Sequence, residues 1–254
     1  MTRVKAQQNL LVIPAAGSGS RLGSDIPKPL IKVLGRPLIQ FTLDSWLQAD
    51  PHCDVAVVIN PHFDKLWRES ISVKHTLFQE QPLGMGDAIS KSLPLWSQYK
   101  NIFVAWGDTV WLERSLTQRI LEAYHRLPSP AFLVPATKND PAYISLSLNS
   151  EGKVNRVLER REGDGPEMQG SCLTDLGVFL FSASLETFYR DYMNDSGWGI
   201  GRQTQEKNFL AFMSYLTHRQ VLVKPLEIEI CTPVVGINTA LELKRFEDYL
   251  HEQE

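Results

Sequence analysis

Apolar positions along the chain fall into two alternating kinds of run. Leu10-Leu11-Val12-Ile13, Val55-Ala56-Val57-Val58-Ile59 and Ile102-Phe103-Val104-Ala105-Trp106 are short and continuous, the pattern of strands buried on both faces in a parallel sheet. Between them apolar residues recur at helical spacing, first at Leu38, Phe41 and Trp46 behind Pro37, then across residues 115–126. Gly84 opens a further helix that runs to Ser90, while residues 76–79 and 130–137 predict two more strands. The pattern shortens after Tyr143: strands are expected over 143–148, 153–159 and 173–181, with a polar loop through Gly163-Asp164-Gly165-Pro166. Those strands predict a mixed-sheet lobe on one side of a pocket. Helices follow at 184–193 and 204–216, then a strand near 221–225 and a last helix with Leu243, Phe246 and Leu250 on one face. Alternation of strands and helices predicts an α/β fold.

Composition narrows this further. With 254 residues and 43% hydrophobic content the chain can bury one sizeable core, and no compositional shift divides it. A single domain over 1–254 is expected, with about 1–137 and 218–254 as core and about 138–217 as accessory lobe. Charges of both signs are interspersed, with a formal net charge of -3, which speaks against nucleic acid or a membrane surface as the main partner and leaves a homo-oligomer open. Cys53, Cys172 and Cys231 form no CxxC pair, which argues for a reducing compartment and against structural zinc. Residues 1–8 are polar and the apolar run behind them is too short for a signal core or a membrane span, so a cytoplasmic location is expected.

Residues 10–30 carry the first candidate chemistry. The strand opens into Pro14-Ala15-Ala16-Gly17-Ser18-Gly19-Ser20-Arg21, followed by Pro27-Lys28-Pro29. Small residues let the backbone approach a ligand, and successive N–H groups make a cup for phosphate oxygens, to which Arg21 and Lys28 add two cations. A dinucleotide fingerprint fits poorly, because Leu22 stands where a third glycine or alanine belongs and no acidic residue ends the next strand. A Walker loop fails for want of Gly-Lys-Ser/Thr. Taken alone, the loop is equally an ordinary strand-to-helix turn. Gly107-Asp108 lies just past a central strand, where open parallel sheets bind ligands. The N–H groups and dipole at the Gly84 helix start suit an anionic or polar ligand.

Four separated features occur together: the loop 15–21 with Pro27-Lys28, Gln79 with Leu83-Gly84-Met85-Gly86-Asp87-Ala88, Gly107-Asp108, and Gly236-Ile237-Asn238. In that order they resemble the sugar-1-phosphate nucleotidylyltransferases, and most closely the uridylyltransferase domain of N-acetylglucosamine-1-phosphate uridylyltransferase. The likeness extends to Asp140-Pro141-Ala142-Tyr143, to Lys153-Val154-Asn155-Arg156-Val157-Leu158-Glu159 and to Thr174-Asp175-Leu176-Gly177-Val178. It implies a Rossmann-like, mixed and mostly parallel sheet of the glycosyltransferase A-like nucleotidyltransferase type with a small sugar-binding lobe. It implies that an oxygen of a sugar phosphate attacks the α-phosphorus of a nucleoside triphosphate, most readily UTP, and that pyrophosphate departs. By resemblance Arg21 holds the β and γ phosphates and Lys28 the α-phosphate and the incoming phosphate. Asp108 and Asn238 match the positions that hold Mg2+. Ala15, Ala16, Gly17 and Gly19 flank the nucleotide, with Gln79, Gly84 and Met85 at the base, and Glu159, Asp175 and Ile144 line the acceptor site.

Some positions depart from the pattern. Asp175 stands where the acetylglucosamine enzyme has asparagine, and a carboxylate accepts but does not donate hydrogen bonds. Ile144 fills a position that glycine keeps open, and Met85 replaces a threonine beside the base. These changes bear on the acceptor first and the base second, so a cytidylyltransferase acting on a phosphomonoester such as phosphocholine is an alternative. The chain ends without a hexapeptide-repeat half, so no acetyl transfer is expected. A methylerythritol-phosphate-type cytidylyltransferase shares Pro14-Ala15-Ala16-Gly17 and Pro27-Lys28 but not the later motifs. A regulatory nucleotide-binding subunit has no need of the full set Arg21, Lys28, Asp108 and Asn238, and a dehydrogenase has only the first loop in its favour.

Overall fold

The computed structural model describes residues 7–17, 26–111, 113–139, 143–167, 170, 172–230, 232 and 234–253. The chain runs through β1 (Gln7–Pro14), two-residue strands β2 (Lys32–Val33) and β3 (Arg36–Pro37), α1 (Leu38–Ala49), β4 (Asp54–Ile59), α2 (Asp64–Ser70) and β5 (His75–Phe78). Next come α3 (Met85–Ser90), α4 (Leu93–Trp96), β6 (Tyr99–Ala105), α5 (Arg114–His125), β7 (Ala131–Asn139), β8 (Ile144–Leu148) and β9 (Val154–Glu159). The remainder is β10 (Cys172–Asp175), β11 (Val178–Ser182), α6 (Glu186–Asn194), α7 (Ala211–His218), β12 (Leu222–Glu227) and α8 (Ala240–Glu252).

The continuous apolar runs are the central strands. β1 lies between β6 and β4, all parallel, with Val12 opposite both Val104 and Ala56, and β5 extends the parallel array beyond β4. Successive residues of a strand face opposite sides. Leu10 and Val12 therefore join a core shared with the aromatic residues of α6 and α7, whereas Leu11 and Ile13 join one shared with α1 and α5. On the far side β11 runs antiparallel to β6, β7 pairs antiparallel with β10 and β11, and β12 lies parallel to β7. The sheet is thus mixed and mostly parallel, and β8 and β9 form a separate hairpin. No helix among the described residues is long and apolar enough to cross a membrane.

Two segments differ from the expected pattern. The strand expected over 173–181 is split into β10 and β11, and both belong to the central sheet rather than to a separate lobe. Gly177 makes the break: its φ is +71°, its N–H is held by Asp175 Oδ1 at 2.9 Å, and a Cβ there would lie 2.6 Å from the Trp106 ring. The helix expected over 204–216 begins only at Ala211. Upstream, the Lys207 backbone bonds elsewhere, its N–H to Leu83 O at 3.1 Å and its carbonyl to Gly86 N at 2.9 Å. Those bonds compete with the helical ones.

Candidate active site

Lys28 opens a 3-10 turn over Lys28–Leu30, preset by Pro27 and Pro29 and anchored by the buried Pro29 and Leu30. Asp108 follows β6 at the carboxyl end of the sheet. A β-bridge between Thr109 and Gly236 and a bond from Val110 N to Val235 O draw residues 234–238 alongside it. Buried Thr42 Oγ1 donates to Thr109 O at 2.7 Å and locks the turn from below. The Lys28 ammonium consequently forms an ion pair with Asp108 Oδ2 and donates to Asn238 Oδ1 at 3.0 Å. Three residues 80 and 210 positions apart thus meet at one cation.

Helix capping does not occupy Asn238. Thr239 is the N-cap of α8, accepting from Glu242 N at 3.2 Å while Glu242 Oε2 accepts from Thr239 N at 2.8 Å and Asn238 N at 2.7 Å. The Asn238 side chain is left to face Lys28. Two oxygens, Asp108 Oδ2 and Asn238 Oδ1, that converge on one ammonium also suit a hard divalent cation, which takes one or two protein oxygens plus phosphate and water. No cluster of three or more His, Cys, Asp or Glu side chains capable of holding a metal occurs among the described residues.

On the other side of β1, Ala15 continues the strand by donating its N–H to Val58 O at 2.8 Å. Ala16 is half-buried and Gly17 exposed, with nothing within 4 Å of a Cβ placed on Gly17 among the described residues. Arg21 and Gly19 lie outside the described residues. Gln79 is buried at the end of β5 and is no solvent-facing strand end. Gly84 adopts φ +99° and sits so close to Lys207 that a Cβ would lie 2.7 Å from the Lys207 carbonyl. Because Gly86 N already donates to that carbonyl, not every N–H at the start of α3, expected to suit an anionic or polar ligand, is open to one. Met85 is partly buried against the core.

The acceptor candidates also come together. Ile144 is directly opposite Glu159 in the β8–β9 hairpin and packs partly buried on the core. The run Glu159-Arg160-Arg161-Glu162 resembles a solvated strand end in sequence, yet Glu159 and Glu162 are buried. Burial pushes the Glu159 carboxyl up, and Arg161, 3.0 Å away, opposes the push while Glu162 and Asp175 add to it. Asp175, at the end of β10, is raised to about 6 by burial, against the bond from Gly177 N. Trp106 joins this side to the first. Its N–H donates to Gly177 O at 2.9 Å, its ring packs on Phe179 and Phe209, and Asp108 is two residues on.

Four residues with a part in this geometry carry no role in the sequence reading. Asp87 holds the Gln79 amide at 2.8 Å, Arg161 balances Glu159, and Trp106 spans the two halves. Glu162 accepts from Gln203 N, Thr204 N and Thr204 Oγ1, the last at 2.7 Å. Asp87 stands within the Leu83–Ala88 motif, but nothing in the sequence assigns it a partner.

A bifunctional protein GlmU of Paraburkholderia phymatum is 29% identical over 192 residues, covering 74% of this chain and 42% of that protein. The GlmU of Cupriavidus necator is 31% identical over 159 residues, 62% of this chain and 34% of that one. The chain therefore spans less than half the length of these curated relatives. Two solved structures share the fold, each at 14% identity and covering 97% of this chain and all of the other. One is CMP:2-keto-3-deoxy-manno-octonic acid synthetase complexed with CTP, with a TM-score of 0.70. The other, 4-diphosphocytidyl-2C-methyl-D-erythritol synthase of Anaerococcus prevotii, scores 0.66. Residues 11–174, well over half of the chain, match the family model of the MobA-like NTP transferase domain. With that match, which spans Lys28, Gln79 and Asp108, the chain belongs to the MobA-like NTP transferases and is a nucleotidyltransferase.

Proposed function

We propose that the chain transfers a uridylyl group from UTP to a sugar 1-phosphate, giving a nucleotide sugar and pyrophosphate. The observation that carries this is the meeting of Lys28, Asp108 and Asn238 at the carboxyl end of the sheet, joined through Trp106 and Gly177 to Asp175 and Glu159. An oxygen of the sugar phosphate bonds to the α-phosphorus while the bond to the β-phosphate bridging oxygen breaks, and its electron pair leaves with pyrophosphate. The attacking oxygen is anionic at neutral pH, so no general base is needed. What remains for the protein is to position two polyanions and stabilise the charge that builds as the bond breaks. Lys28 serves that role at the α-phosphate, with Arg21 and the Ala15–Gly19 backbone on the triphosphate. Asp108 and Asn238 would hold Mg2+, which supplies charge neutralisation between the phosphates. Residues 138–217 supply the acceptor side.

A second reading draws support from Asp175, whose carboxylate replaces an amide beside Glu159: a cytidylyl transfer to a phosphomonoester such as phosphocholine. Pyrophosphate release decides between them, measured with Mg2+ for UTP, CTP, dTTP, ATP and GTP against sugar 1-phosphates and phosphocholine. Release with UTP and one sugar 1-phosphate is expected. Release only with CTP and phosphocholine would replace the first reading by the second, and silence throughout, with nucleotide bound, would point to an acceptor outside the panel or to a regulatory role.

A further inference from the structure

Gln79 has already spent both amide hydrogens. Nε2 donates to Gly84 O at 3.1 Å and to Asp87 Oδ2 at 2.8 Å. Both partners are acceptors, so the amide orientation is dictated: turned over, its oxygen would face two other oxygens. Among the described residues nothing donates to Gln79 Oε1. Asp87 in turn is anchored, its Oδ1 taking Lys91 Nζ at 3.0 Å one helical turn on. The first turn of α3 beneath it is held by Gly86 N on Lys207 O at 2.9 Å and by Tyr189 Oη on Gly86 O at 2.7 Å.

We infer that Asp87 is the positioning residue that sets the base preference of this enzyme. By holding one Gln79 hydrogen while Gly84 O takes the other, it leaves only the amide oxygen to present, so the site selects a base edge that donates a hydrogen there, as the ring N–H of uracil does. This rests on the reading of Gln79 as the base contact. Without Asp87 only the longer bond to Gly84 O resists rotation of the amide, which is then freer to offer oxygen or nitrogen as the ligand demands, and discrimination between base edges falls. A charge-assisted hydrogen bond is the stronger kind, so its loss is expected to cost about tenfold or more in discrimination.

The test is nucleotide binding by isothermal titration, with UTP, CTP and N3-methyl-UTP as probes and Mg2+ present, on the full chain. The wild-type protein should bind UTP more tightly than N3-methyl-UTP. Asp87→Ala should collapse that ratio about tenfold or more, and Asp87→Asn, which keeps an acceptor oxygen and guards against misfolding of the first variant, should restore much of it. A general structural defect would weaken all three nucleotides alike and leave the ratio in place, which would overturn the inference. A wild-type protein indifferent to the three probes would overturn it as well. If Gln79→Leu collapses the ratio and Asp87→Ala does not, the base contact stands and the role of Asp87 falls. If neither changes it, both fall.

Discussion

At the scale of single residues, Lys28 carries the sharpest expectation. Its ammonium is the point at which Asp108 and Asn238 meet, and the proposed transfer calls for a cation at the α-phosphate. Lys28→Ala is expected to lower the rate of pyrophosphate release about 100-fold or more, comparable to the loss of one oxyanion donor. A merely severalfold change would mean that another cation holds the transferring phosphate. Asp175 gives a second expectation, in stability. Burial raises its carboxyl to about 6, whereas an unfolded Asp titrates near 3.9. The folded state therefore keeps a proton that the unfolded chain has lost, so this contribution is complete below about pH 4 and disappears as pH rises through about 6. Asp175→Asn should flatten that slope and stabilise the protein at neutral pH by no more than about 3 kcal/mol, read by urea denaturation across the window. An unchanged slope would mean that Asp175 ionises as freely in the folded protein as in the unfolded chain. Lys28, Asp108 and Asn238 were legible in the sequence through Pro27-Lys28-Pro29, Gly107-Asp108 and Gly236-Ile237-Asn238, the segments that carry the family resemblance. The partners of Gln79 and Glu159 were not. Asp87 and Arg161 are ordinary charged residues until the fold turns them inward, and nothing in a charged run says which carboxylate will be buried.

At the scale of elements, continuous apolar runs became the central parallel strands because a strand covered on both faces has no polar side to show. Errors fell where long-range bonds outcompete local preference, at Gly177, pressed against Trp106, and across 204–210, whose Lys207 backbone bonds the α3 loop. The last helix shows how an element can place a functional side chain. Thr239 and Glu242 form a capping box, and the same Glu242 carboxylate takes Asn238 N. Thr239→Ala should cost about 1 kcal/mol in thermal or chemical denaturation. Because the cap also orients Asn238, the variant should need more Mg2+ for half-maximal turnover, while Thr239→Ser should need no more than the wild type. A lowered melting point with unaltered Mg2+ dependence would confine the cap to holding the helix.

At the scale of the whole molecule, the segment from Gly201 to Lys207 links the candidate acceptor side to the candidate base side. One end is fastened to Glu162, whose buried carboxylate accepts from Gln203 N at 2.8 Å and from Thr204 N and Oγ1. Burial pushes that carboxyl up, but these donors and Arg161 more than offset it and hold it low. The other end is Lys207, bonded through its backbone to Leu83 and Gly86, with its ammonium caught by Asp195 O at 2.8 Å and Trp198 O at 2.7 Å. Arg161 touches both Glu162 and the acceptor candidate Glu159, so a change at the candidate acceptor carboxylates has a bonded route of few residues to the loop that holds Gly84 and Gly86. Glu162→Ala strands three donors, at a cost of about 1–3 kcal/mol for each that water does not reach. If the segment acts as one strap, its release should extend past residues 203 and 204. Hydrogen exchange should then quicken at the amides of Lys207 and Gly86, which are bonded across the two sides, while β1 and β6 keep their protection. Faster exchange confined to Gln203 and Thr204 would show that Lys207 holds the α3 loop without help from Glu162.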